Sequence, residues 1–296
     1  MWSIRHSKSC PIHHIPRLQW LDNQENPWLV YIGTRYSINI LLFILVIVSP
    51  LFAMGAPVKA WEESVTIPTY LIGPPDPNPQ FYFGGASQGA QHRIYPYPVY
   101  DNLTTEKKDK TYKMVYLENE YIKIGILPEL GGKVFEAIDK TNGYDFIYHQ
   151  HVIKPALISL LGAWISGGIE WDLPHHHRAT SFLPMQYKIE EDPDGSKTVW
   201  VGELELRDRM TWAVGLTLHP GKSYLEASFR MINRTPVPTS MLSFTNTAVH
   251  VDDSYQVIFP PSTQFVTYHA KRSFTTWPIA TTRFNGTDFT AGVDVS

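Results

Sequence analysis

From Tyr121 to Leu127 the chain reads YIKIGIL, and Ile122, Ile124 and Ile126 fall at every second position. A period of two puts these three side chains on one face of a half-buried strand. The residues that follow, PELGG at 128–132, form a turn in which Gly131 and Gly132 are free to take positive φ. Lys133 to Ile138 makes the next strand. Thr141-Asn142-Gly143 is hairpin-turn chemistry, and Phe146 to His149 returns.

The same grammar continues down the chain. Strands are expected at Lys197 to Leu206, Thr211 to Leu218, Ser223 to Ile232, Met241 to Val251 and Gln256 to Phe259. Asp192-Pro193-Asp194-Gly195 and Pro220-Gly221 supply turns between them. The single helix expected after the membrane segment is a short one near Val152 to Leu161, weakened by Pro155. The 23 prolines and 19 glycines exclude a helical bundle, so the fold class is all-β, an antiparallel sandwich or barrel.

Composition narrows the function. A net charge of -3 excludes a nucleic-acid binder that relies on a basic surface. Aromatic content of 13% excludes a chain that cannot collapse. The single cysteine, Cys10, excludes an intrachain disulfide framework and any cysteine-cluster metal site.

Residues 38–56 (INILLFILVIVSPLFAMGA) carry no charge. As a helix the segment would span roughly 28 Å, close to a bilayer core. Pro50 and the small residues Ala53, Gly55 and Ala56 resemble a secretory cleavage zone, and Arg35 precedes the apolar run. A cleaved signal, an uncleaved membrane anchor and a buried core helix are the alternatives. The first two place the rest of the chain outside the cytoplasm, at the periplasm or cell surface. Arg5, Lys8, Arg17 and Arg35 agree with the positive-inside rule. Residues 1–36 read as a polar extension, either a cytoplasmic tail or the product of a start assigned too early. Residues 57–80, with six prolines, read as an extended linker. Residues 81–296 form the domain. Its last segment, AGVDVS at 291–296, reads as a strand stopped midway, as in a fragment of a longer protein.

Polar chemistry concentrates in WISGGIEWDLPHHHR, residues 164–178. Burying Glu170, Asp172 and Arg178 unpaired would be costly, so the segment has little value as plain core. Its bland reading is a hydrogen-bonded surface loop. Its functional reading is a sugar pocket. Trp164 or Trp171 would be the apolar platform, and Asp172 and Arg178 would orient hydroxyls. Glu170, with His176 or His177, would be the acid–base pair, because an imidazole titrates near neutrality. Glu170 and Asp172 are two positions apart on one strand, which does not flank a glycosidic bond. Three consecutive histidines rarely converge on one ion. A site of His149, His151 and Glu170 can be drawn, but the spacing gives no metal signature, and neither metal nor cofactor is expected.

The run TYKMVYLENEYIKIGILPELGGKVFEAIDKTNGYDFIYHQHVIKPAL at 111–157 and ISGGIEWDLPHHHR at 165–178 resemble an uncharacterised, mostly bacterial family. VIFPPSTQFVTYH at 257–269 and TAGVDVS at 290–296 fit it too, so the likeness covers Trp61 to Ser296. Such domains often precede tetratricopeptide repeats, which implies a C-terminal repeat region as partner. The family looks like a member of the galactose mutarotase-like superfamily. That likeness implies a β-supersandwich that binds carbohydrate, with glycoside hydrolase and epimerase relatives beside non-catalytic modules. His176 or His177 would correspond to the epimerase acid, whereas the epimerase base comes later in that fold than Ser296. Asp172 stands where the family pattern has Asn, and His175 where it has Gln, so the likeness speaks for fold more than for activity.

Overall fold

The computed structural model describes residues 55–295, except 79, 83–92, 159–160, 175–176 and 269–271. The polar extension of residues 1–36 and nearly all of the apolar segment at 38–56 lie outside these residues. Among the described residues no helix is long and apolar enough to cross a membrane.

Eleven strands build two antiparallel sheets. They are β1 (Lys59–Ile72), β2 (Leu103–Glu118), β3 (Ile122–Leu127), β4 (Lys133–Asp139), β5 (Tyr144–Asp145), β6 (Ile169–Asp172), β7 (Gln186–Glu191), β8 (Lys197–Glu205), β9 (Met210–Leu218), β10 (Glu226–Asn233) and β11 (Phe244–Thr247). The larger sheet runs β1-β2-β3-β4-β6-β11, with β5 paired to β4. The smaller runs β7-β8-β9-β10. The other strands among the described residues have two or three residues and pair off separately.

Alternation explains how the sheets pack. Ile122, Ile124 and Ile126 of β3 face inward with Val115 and Leu117 of β2 and Val134 and Ala137 of β4. Val199 and Val201 of β8 and Trp212, Val214, Leu216 and Leu218 of β9 meet them from the smaller sheet. Each such side chain contributes about 1.5–3 kcal/mol by leaving water. The large sheet is also covered on its outer face, where Tyr112, Met114 and Tyr116 pack with Leu127, Leu130, Phe135, Ile153 and Ile165. Burial on both faces is why KMVYL at the end of β2 is nearly continuous in apolar residues.

Several expectations are corrected. Residues 59–72, read as linker, are β1, in register with β2 from Lys59↔Glu118 onward. Pro68 is tolerated because β1 is an edge. Its missing N–H faces out of the sheet, where Ile153 N donates to Pro68 O at 2.9 Å and Tyr70 N donates to Ile153 O at 2.8 Å. The helix expected near Val152 to Leu161 is absent from the described residues there. Two short strands, Ala156–Leu157 and Ala163–Trp164, pair instead. Pro155 denies a helix its backbone donor, and Gly162 takes φ 94° where the chain reverses. The strand expected over Met241 to Val251 shortens to Phe244–Thr247, and Gln256 to Phe259 is irregular. The PELGG turn is a single 3-10 turn, Pro128–Leu130, closed by Gly131 at φ 74°. A Cβ on Gly131 would sit 2.4 Å from Ser181 O, so this glycine lets the segment after His177 pack onto the turn.

Candidate functional site

Strand β6 is the centre of the site. Its pleat sends Ile169 and Trp171 into the inter-sheet core and Glu170 and Asp172 to the outer face of the larger sheet. Lys133, two positions before Phe135 on β4, shares that outer face. Gly168 permits the close approach of β6 to β4. It adopts φ 67°, and a Cβ there would lie 2.1 Å from Val134 O. Its N–H donates to Tyr148 O at 2.6 Å, and its carbonyl accepts from Ala248 N at 2.9 Å.

Glu170, Asp172 and His177 converge: one donor atom from each lies within 4.8 Å of the other two. His177 Nδ1 is 3.3 Å from Glu170 Oε2 and 3.6 Å from Asp172 Oδ1. The Trp164 indole N–H donates to Glu170 Oε2 at 2.8 Å. The His177 ring stands edge-on between Trp164 at 6.2 Å and Phe244 at 5.7 Å between centroids. Phe244 reaches this place because β11 pairs with β6 at Asp172↔Phe244. The carboxylates are enclosed, Glu170 at 4% and Asp172 at 0% exposure, whereas the His177 side chain is 21% exposed. Glu170 Oε1 and both oxygens of Asp172 are buried without a hydrogen-bond partner.

Electrostatics separate the two carboxyls. Burial, reinforced by the charge of Glu170, pushes the Asp172 carboxyl up to about 8. Burial pushes Glu170 the same way, but the hydrogen bonds from His177 and Trp164 and the charges of His177 and Lys133 together bring it below its ordinary value. The Glu170 hydrogen bond raises His177 despite its burial. Burial lowers Lys133 to about 8, against the pull of Glu170 and Asp172, while its ammonium donates to Ile165 O at 2.7 Å. Two carboxyls this close do not readily ionise together, so one keeps its proton while the other carries the charge.

The expected site residues divide between two places. Glu170, Asp172, His177 and Trp164 come together. Trp171 and Arg178 lie on the inner side. Trp171 is 2% exposed, with its indole N–H on Gly132 O at 3.0 Å and its ring 5.9 Å from Phe229. Arg178, 3% exposed, donates to Trp171 O at 2.5 Å, Gly131 O at 2.7 Å and Thr180 Oγ1 at 2.9 Å. It also stacks 4.6 Å from the Trp212 ring. His175 and His176 lie outside the described residues. Of the other two imagined ligands, His149 contacts Asp145 Oδ2 through Nδ1 at 2.5 Å, and the His151 ring lies 5.3 Å from its ring. Lys133 was not anticipated. Its signal is a lone cation at the start of the strand that follows PELGG, directly before Val134 and Phe135.

The model of a family described as a domain of unknown function (DUF5107) matches residues 90–290. Among solved structures the chain is similar to a TPR-domain containing protein from Parabacteroides distasonis ATCC 8503, at 27% identity and a TM-score of 0.57. The match covers 71% of this chain and 34% of that one, so the chain spans about a third of its neighbour's length.

Proposed function

The chain belongs to the family described as a domain of unknown function (DUF5107), and from that premise we propose that it is a carbohydrate-binding domain. The sugar would sit over β6 on the outer face of the larger sheet. The observation that carries this reading is the pairing of Trp164 with Glu170 beside His177. A sugar ring presents apolar C–H faces and a rim of hydroxyls. A half-buried indole answers the first, and carboxylate oxygens without partners answer the second. His177 is the most exposed member of this cluster, its side chain 21% exposed against 5% for Glu170 and 0% for Asp172. The likeness to galactose mutarotase-like proteins supports the same ligand class. The apolar segment at 38–56 supports an exported or membrane-tethered setting, and the similarity to a TPR-domain containing protein supports a repeat region in the same assembly.

A catalytic form of this reading has one specific support, the contact between Glu170, whose carboxyl is lowered, and His177, whose imidazole is raised. Glu170 would act as base and His177 as acid in an epimerase-like proton transfer. Two-carboxylate glycoside hydrolysis fits less well, because the carboxyls are side by side on one strand with ligand oxygens within 4.8 Å, whereas that chemistry sets them about 5 Å or more apart on either side of the scissile bond. A glycan-array screen with product analysis of every hit tests both forms. Binding with an unchanged glycan supports the module. Binding with an altered product, lost in Glu170→Gln while binding persists, supports the enzyme. A folded protein that binds no glycan refutes both.

A further inference from the structure

The outer-face cluster has a property that sugar recognition does not require: three donor groups already hold the spacing of metal ligands. We infer that Glu170, Asp172 and His177 bind one divalent transition-metal ion, with Zn2+ the best match to the donor set. This inference does not rest on the sugar reading.

Geometry is the first support. Zinc held by nitrogen and oxygen at about 2.0–2.2 Å in a tetrahedral site separates its ligands by roughly 3.3–3.5 Å. His177 Nδ1 lies 3.3 Å from Glu170 Oε2 and 3.6 Å from Asp172 Oδ1, so two edges of that tetrahedron are in place.

The second support is independent of spacing. Glu170 Oε1 and both Asp172 oxygens are buried with no donor from the rest of the fold, so the two carboxyls face only each other and can ionise together only if something supplies positive charge. The Lys133 ammonium donates to Ile165 O, and neither carboxylate accepts a hydrogen bond from it. A cation in the triangle would meet Asp172 Oδ1 directly and offset the charge of both carboxylates.

The surroundings also fit a metal site. The Trp164 indole N–H fixes Glu170 from outside the triangle, as outer partners orient metal-bound carboxylates. Trp164 and Phe244 hold the imidazole edge-on. One imidazole with two carboxylates suits zinc better than calcium, which takes 6–8 oxygens. Three protein ligands leave a fourth position for water or substrate, on the side where His177 meets solvent.

The test is calorimetric titration of the full chain, stripped with EDTA and desalted, with zinc chloride. The expected result is one tight equivalent that Asp172→Asn and Glu170→Gln each weaken by at least about 100-fold, the upper range for outer-shell losses alone. His177→Gln, at the ligand nearest solvent, should give the same loss and decides the matter if a buried variant does not fold. Zinc should raise the melting temperature of the wild type and leave the variants unmoved. Absence of saturable binding, or equal affinity in wild type and His177→Gln, overturns the site. A glycan that still binds in EDTA separates failure of this inference from failure of the sugar reading.

Discussion

Arg178→Ala is the sharpest test of which residues hold the fold and which face a ligand. The guanidinium donates to Trp171 O, Gly131 O and Thr180 Oγ1 at 2.5–2.9 Å, and its Nη1 lies 3.6 Å from Glu203 Oε1. One side chain therefore joins β6, the PELGG turn, the segment after His177 and β8. Hydrogen bonds from a charged donor contribute about 1.5–3 kcal/mol each, and stacking on a desolvated Trp about 1–2 kcal/mol more. Three bonds on one group are not additive, so the expected loss is about 4–5 kcal/mol, at the upper end for single substitutions. Arg178→Lys keeps the charge but not the fork and should lose about 2–3 kcal/mol. Urea unfolding with an unchanged slope measures both. The reasoning is refuted if Arg178→Ala costs less than about 1 kcal/mol, the range of ordinary surface changes. A loss confined to ligand affinity would return Arg178 to the binding face.

Further outcomes follow from the same geometry. With metal chelated, stability should fall as pH rises from about 4 to about 8, because Asp172 binds its proton more tightly folded than unfolded. His177, also raised, acts in the same direction: its contribution is present below its unfolded value and lost as pH rises through the folded one. Glu170 opposes them at the acid end, where its contribution is lost as pH falls through its lowered value. Lys133, lowered to about 8, carries a penalty below that pH that is relieved towards its ordinary 10.5. Urea midpoints across this range should dip near pH 8, and Asp172→Asn should flatten the descending limb; a flat wild-type profile contradicts the assignment. Gly168→Ala should cost about 2–4 kcal/mol by thermal unfolding, because a left-handed φ and a carbonyl 2.1 Å from the new Cβ act together. Trp164→Phe keeps a ring and removes the donor to Glu170, so it should lose about 1 kcal/mol of stability. A loss of several-fold in glycan affinity should accompany it, read by direct titration.

How much was legible depends on how local the signal is. Ile122, Ile124 and Ile126, and the alternation through Thr211 to Leu218, mark strands because a two-residue period survives burial on one face. Lys59–Ile72 did not announce itself. Its register is set by β2, with thirty residues intervening between the two strands, and an edge strand carries Pro68 and WEES where a central one would carry apolar residues. The polar run at 164–178 was visible as a concentration of chemistry, but density alone does not sort its two faces. Period two does, placing Glu170 and Asp172 opposite Trp171. His177 joins the carboxylates only through the fold of the segment after β6, and Lys133 comes from a neighbouring strand, so neither was fixed by spacing.

The central claim is that a sugar is held over β6 beside Trp164 and Glu170. It is tested most directly by titrating the chain, labelled with 15N-tryptophan, with the strongest hit of the glycan screen. The Trp164 indole N–H, hydrogen-bonded to Glu170, should shift with saturation while those of buried Trp171 and Trp212 stay in place. A ligand that shifts only Trp61 or Trp200, or a folded chain for which no glycan shifts any indole, would contradict the account.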